Sequence, residues 1–366
     1  MQTAMNLEDL LTEVIRQTKA KKDFVTSTRG NLHARNEDGA IKIVVLREGN
    51  KELEKFDVSE SAHKQIAGRL DIPAKYYDRL RREYPDLICQ NLNTLFNGEN
   101  KRVLVRVLDN KVRAFLSDRY MSIDNNHVLE QTLPALNANF QNEILYSNVT
   151  SDRMDLKVLF TGDELKQDIT EARGTARIVR PGFRLTNSEI GNGSLSCKAF
   201  FFDSYCKNGC VFGSSDAFEF SRNHVGGKLK SAIDFQVFSD ETQELNKKAI
   251  IASISDMFKA IASPVFAQQM GDKLRAAANT DVVKQPVAAV EKIVNDFELR
   301  ENERTSVLET FLRDGDFSKW GMASAVTEVA NNVKICDGER INDIENIGGR
   351  ILELSTKAWS RVVEAA

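Results

Sequence analysis

The chain predicts an α+β protein with an antiparallel β-meander core, helical N-terminal segments and a helical C-terminal region. Three observations carry that prediction. Val103-Leu-Val-Arg-Val-Leu108 and Lys111-Val-Arg-Ala-Phe-Leu116 flank Asp109-Asn110, the pattern of a hairpin with a two-residue turn. Residues 183–213 hold two apolar and aromatic runs, broken at Gly191-Asn192-Gly193 and at Lys207-Asn208-Gly209. Gly and Asn tolerate positive φ, so both breaks read as turns and the whole as a meander. Beyond about residue 240 apolar residues recur at helical spacing: Ile250, Ile254, Met257 and Ile261.

The remaining elements follow in order. Residues 7–19 form an amphipathic helix, and Asn36-Glu-Asp-Gly39 turns a hairpin within residues 23–47. Ser59 caps a helix carrying Ile66 and Leu70. Pro73 suits the first turn of the next, which carries Tyr76, Tyr77 and Leu80. A short helix over residues 127–133 is stopped by Pro134, and Met154–Phe160 is a strand. Pro264 and Pro286 mark breaks in the helical region. Three regions result: a mixed α/β region at 1–100, a basic antiparallel β core at 101–235 and a helical region at 236–366.

The chain's 366 residues, 42% hydrophobic and 28% charged, suit an ordinary globular protein of two or three domains. No window approaches the roughly 18 apolar residues of a membrane span, so no membrane is expected. The first residues lack the basic-then-apolar order of a signal peptide. The five cysteines are scattered and odd in number, which favours a reducing cytoplasm. The net charge of −3 hides an asymmetry. Residues 101–125 carry six Lys/Arg against three Asp/Glu, and residues 171–230 carry nine against five. The β-like windows are the basic ones, which suits an anionic partner such as nucleic acid.

Several chemistries are weighed and set aside. Cys206 and Cys210, with Cys197 and His224 nearby, lack the tight paired spacing of zinc sites, and no metal is expected. No nucleophile elbow occurs, and the chain after Gly191-x-Gly193 is strand-like where a phosphate loop needs a helix. There is no Walker A motif, which excludes an ATP-driven motor, and no cofactor is expected. Asp118, Asp124 and Asp155 would serve a magnesium-dependent nuclease only if the fold gathered them. Two basic-aromatic stretches remain, Ser117-Asp-Arg-Tyr120 and residues 218–230. Cations neutralise phosphates and exposed rings stack on bases. Phe200-Phe201-Phe202 must place rings on both faces of a strand, leaving one exposed if only one face is covered.

Short stretches in a common order resemble a family of phage- and plasmid-encoded proteins of unknown function. They are residues 65–77, Asn91-Leu-Asn-Thr-Leu95, Arg113-Ala-Phe-Leu-Ser-Asp-Arg-Tyr120, Asn187-Ser-Glu-Ile-Gly191, Cys206-Lys-Asn-Gly209, Arg222-Asn-His224, Ser324-Ala-Val-Thr-Glu328 and Gly348-Gly349. A basic meander followed by a long amphipathic helix is also similar to single-strand annealing proteins of phage recombination, the RecT, Erf and Sak type. That likeness implies ATP-independent binding and annealing of single-stranded DNA, with RNA as the other candidate strand, in recombination or replication. The expected strand-binding residues are Arg119, Tyr120, Arg180, Arg184, Lys198, Arg222, His224, Lys228 and Lys230. A homo-oligomer is expected, because a flat aromatic strand edge invites pairing. The rival expectations are a metal-dependent nuclease and a self-assembling or protein-binding structural protein.

Overall fold

The computed structural model describes residues 5–46, 53–170, 176–203, 208–211, 219–222, 240–331 and 338–365. It is α+β, with strands and helices mixed in the first part and helices last. The first part runs α1 (Leu7–Ala20), β1 (Lys22–Ser27), one-turn α2 (Thr28–Asn31), β2 (Leu32–Glu37), β3 (Ala40–Leu46), β4 (Leu53–Val58), α3 (Glu60–Arg69), α4 (Ala74–Glu83) and α5 (Pro85–Glu99). Next come β5 (Arg102–Leu108), β6 (Lys111–Ser117), α6 (Asn125–Asn139), β7 (Asn142–Val149), β8 (Met154–Phe160), β9 (Gln167–Thr170), β10 (Ala176–Asn187), β11 (Leu195–Asp203), β12 (Asn208–Val211) and β13 (Glu219–Arg222). The last part is α7 (Asp240–Ile261), α8 (Pro264–Ala278), α9 (Pro286–Phe297), α10 (Glu301–Asp314), α11 (Lys319–Glu328), α12 (Gly338–Leu352) and α13 (Thr356–Val363).

The first sheet has the order β1-β5-β6-β4-β3-β2, antiparallel except for a short parallel pairing of β4 with β6. The β5–β6 hairpin turns on Asp109 and Asn110, both at positive φ (50° and 60°) as a tight hairpin of this hand requires. It lies between β1 and β4, so a boundary at residue 100 would cut this sheet. That corrects the division expected from sequence, which assigned the hairpin to the basic core. Helices α3, α4 and α5 cover one face with Ile66, Tyr77, Leu80, Ile88, Leu92 and Phe96. Ser59 caps α3 as expected, its hydroxyl accepting from the Ala62 amide.

Strand β2 ends the sheet, and α5 closes part of its open edge. The Asn93 side chain accepts from the Ala34 amide (2.7 Å) and donates to the Ala34 carbonyl (2.9 Å), as a neighbouring strand would. Asn93 belongs to the Asn91–Leu95 stretch, which gives that stretch a structural reason. Asn93→Ala will cost about 1–3 kcal/mol, because both backbone groups of Ala34 lose a partner. It will also favour aggregation by freeing the edge. Urea unfolding and light scattering check both effects, and an unchanged midpoint with no scattering would refute the edge-closing role.

The second sheet runs β12-β11-β10-β8-β7, with β9 on β10 and β13 on β11, every pairing antiparallel. This is the predicted meander. β10 changes partner along its length: residues 176–179 pair with β9 and residues 182–187 with β8. Pro181 falls in the gap, where no ladder bond to that side is needed. Helices α7 and α8 cover one face, where Phe183 stacks on Phe258 (ring centres 4.0 Å apart) and Phe201 on Phe266 (5.8 Å).

Two expectations are corrected here. Pro134 does not stop α6, which runs on to Asn139 and keeps Leu133 and Leu136 buried. Burial of that apolar face outweighs the one hydrogen bond that proline removes. The Phe200-Phe201-Phe202 run does point both ways, but Phe200 is buried on the second face with Leu159, and Phe202 is half-buried. No fully exposed ring results. No single helix among the described residues is long and apolar enough to cross a membrane.

Candidate nucleic-acid interface

Three of the motif stretches, residues 65–77, 113–120 and 187–191, meet where the two sheets join. Residues 187–191 leave β10 and lie against the second face of β5–β6, where Leu104, Ala114, Leu116, Ile190 and Tyr120 cluster. Gly191 has φ +78°, and a Cβ there would come within 2.8 Å of Leu116. Several polar groups of the segment are engaged by distant elements. The Gln65 amide donates to the Ile190 carbonyl (2.6 Å), and its oxygen accepts from the Phe115 amide (2.7 Å). Asn187 donates to Ile123 and Asn125. Glu189 accepts from Arg113 (2.5 Å) and from the Asn125 amide (2.7 Å).

Arg106, with no exposed surface, is the centre of this junction. It donates to Asp23 (2.9 Å), Asp124 (2.7 Å) and the Glu189 carbonyl (2.8 Å), while Lys21 also reaches Asp124 (2.5 Å). Burial opposes the Arg106 charge, but Asp124 and Asp23 outweigh it and keep the guanidinium firmly protonated. Burial likewise works against the Asp124 carboxylate, and Arg106 and Lys21 overcome it, holding that carboxyl well below its usual range. The motif residues therefore build a rigid joint.

That joint fixes the turn after β6 and with it one predicted residue, Arg119. It stands exposed, its amide donating to the Ser117 hydroxyl (3.0 Å). Ser117 pairs with Val103 at the start of β5, so Lys101 and Arg102, both exposed, lie at the same end of the sheet. Lys101 Nζ donates to the Arg69 carbonyl (3.3 Å), and the Thr28 amide to the Lys101 carbonyl (2.8 Å), which places Arg69 and Arg29 beside them. Arg69 is half-buried, and burial lowers its pKa against the pull of Asp118. Five cations thus lie at this end of the sheet, with Glu99 2.5 Å from Lys101 and Asp118 acting on Arg69. Net basicity in residues 101–125 signals Arg102 and Arg119 in the sequence; Arg29 and Arg69 arrive only through folding.

The other predicted residues fall elsewhere. Tyr120 packs in the junction cluster and donates its hydroxyl to the Ser188 carbonyl (3.1 Å). Burial raises its phenol pKa, so this ring is a joint residue and no free stacking platform. Arg180, Arg184 and Lys198 do share the second face of the second sheet, as strand alternation requires. Arg184 stands opposite both Lys157 and Lys198, making a row of three cations across three strands. Arg184, however, is buried and clamped by Asp155 (Nε–Oδ1 2.9 Å) and by Glu345 of α12 (3.3 Å); Glu345 also binds Lys157 (2.5 Å). Like charges side by side in a sheet need such counter-ions. Arg184 therefore belongs to the scaffold, correcting its expected place on the binding surface. Arg180 and Lys198 are half-buried. The side chain of Arg222, and His224, Lys228 and Lys230 entirely, lie outside the described residues.

The acids weighed for a nuclease are dispersed. Asp124 faces Arg106, Asp155 faces Arg184, and among the described residues no three His, Cys, Asp or Glu side chains gather as metal ligands. Cys197 is buried with its thiol pKa raised by burial, and Cys206 lies outside the described residues. A cleft of about 240 Å³ opens beside the junction, between Ser59, Ser61, Lys111 and Asp152. Its rim acids Glu60 and Asp109 are already paired with Arg81 and Arg16. No protein-family model, curated protein or solved structure matches the chain.

Proposed function

We propose that this protein binds single-stranded DNA and anneals complementary strands without ATP, through the basic end of the first sheet. One observation carries the reading: Arg29, Arg69, Lys101, Arg102 and Arg119 lie at one end of the sheet in a chain of net charge −3. A local excess of cations on an acidic protein favours a polyanion over general stickiness. The rigid junction behind Arg119 supports the reading further, since ordered cations lose less freedom on binding than mobile ones. RNA remains the competing strand, and self-association of the protein on the strand is part of the same proposal.

Arg102→Gln with Arg119→Gln tests it. Affinity for a fluorescent oligonucleotide should fall, and the slope of log K against log salt should flatten by about 0.7 for each phosphate that is no longer neutralised. Thermal stability should hardly change, because both side chains are exposed. Mixing complementary dye-labelled strands without nucleotide should show faster annealing with the wild type than with the variant. Unchanged affinity and slope in the variant would rule this surface out.

A further inference from the structure

Two half-exposed tyrosines sit on and beside α4, the helix that begins five residues after Arg69. Tyr76 is 50% exposed and Tyr84, immediately after the helix, 51% exposed, whereas Tyr77 between them in sequence is 1% exposed. Helical spacing explains the contrast. Tyr77 and Leu80 face the core of the first sheet, while Lys75, Tyr76, Arg79 and Arg82 share the outer side. Arg79 pairs with Glu83 one turn along the helix (3.0 Å), immediately before Tyr84. Arg81 points the other way, to Glu60 of α3. The outer face thus carries three cations, Glu83 and two accessible aromatic rings, with Asp78 at its margin beside Arg81.

We infer that this face of α4 is a stacking platform for unpaired bases of the same strand whose phosphates lie on the basic sheet end. The inference rests on the reading proposed above. The excess of cations on this face, and its place in the chain just after Arg69 across the exposed Asp71, select a polyanion as the occupant. The rings specify its state: bases stack on aromatic side chains only when they have left a duplex. Cations beside the rings hold the backbone close while leaving base identity open, so binding is general for sequence and selective for single strands.

The test uses a fluorescent oligothymidylate, an abasic oligonucleotide of the same length and a blunt duplex. Tyr76→Ala with Tyr84→Ala should weaken oligothymidylate binding roughly 5- to 150-fold for each base that loses its ring. The salt slope should stay as in the wild type. Tyr76→Phe with Tyr84→Phe should restore affinity, because the ring is what stacks. Wild type and Ala variant should bind the abasic strand and the duplex alike. If the Ala variant binds oligothymidylate as tightly as wild type while Arg102→Gln/Arg119→Gln loses it, the platform is refuted and the basic-end reading stands; a protein partner would then be the better occupant of α4. If the arginine variant also binds normally, the reading itself falls. Equal losses on abasic and normal strands would likewise overturn stacking.

Discussion

Arg106→Met will destabilise the protein by about 3–5 kcal/mol, the usual cost of leaving a buried charge without its partner. The side chain has no exposed surface and holds Asp23, Asp124 and the Glu189 carbonyl together. Methionine keeps much of the volume, so the loss measures charge more than cavity. Adding Asp124→Asn should recover part of it, because an uncompensated buried carboxylate disappears. The pH dependence has a definite sign. Asp124 has a depressed pKa in the fold, so its contribution is complete above the unfolded carboxyl value near 3.9 and is lost as pH falls below it. Wild type should therefore lose stability steeply in acid, and Arg106→Met should show a shallower acid limb from a lower plateau. Urea midpoints from pH 7 to pH 3 decide the matter; parallel curves would mean that Asp124 is not held by Arg106.

Gly182→Ala should be nearly as damaging, at about 3 kcal/mol, the upper part of the range for overpacking. A Cβ at this central position of β10 would strike the Val158 carbonyl oxygen and stand 2.5 Å from Phe200 Cζ. The Phe200 ring lies over the glycine, with the Lys157 ammonium 4.8 Å from the ring centre. A side chain can yield, but a ladder carbonyl cannot without opening β8 from β10. Combining Gly182→Ala with Phe200→Leu should therefore rescue only partly. Full rescue would show that the ring alone forbids the methyl, and an unchanged urea midpoint in the single variant would refute the crowding.

Local structure was readable because its causes are local. The Asp109-Asn110 turn, the Ser59 cap, the meander and the prolines that open α8 and α9 all follow from residues within a few positions of one another. Pro134 misled because tertiary burial of Leu133 and Leu136 overrode a helix-breaking residue. The basic-aromatic pattern misled for another reason. A cation in a strand reads the same whether it meets a phosphate or a carboxylate, and the carboxylates that claim Arg184 lie 29 and 161 residues away. Tyr120 looked accessible until residues 187–191 folded over it. The exposed pair Tyr76 and Tyr84 was missed, although helical phase alone separates Tyr76 from Tyr77 and sets it beside Lys75 and Arg79.

The strand order of the first sheet imposes a timetable on synthesis. β1 has one partner, β5, and β4 meets the rest of that half only through β6. When residue 58 has emerged from the ribosome, β2, β3 and β4 can pair, yet β1 has nothing to pair with and the inner edge of β4 is bare. Residue 117 follows about 3–12 s later at usual elongation rates. During that interval a nascent chain displays an unpaired strand edge and half a hydrophobic core, the condition under which neighbouring chains join the wrong strands. A pause between the emergence of residue 58 and that of residue 117 would hold this sheet half-built, and slow codons that cause it should lower the yield without changing a single residue.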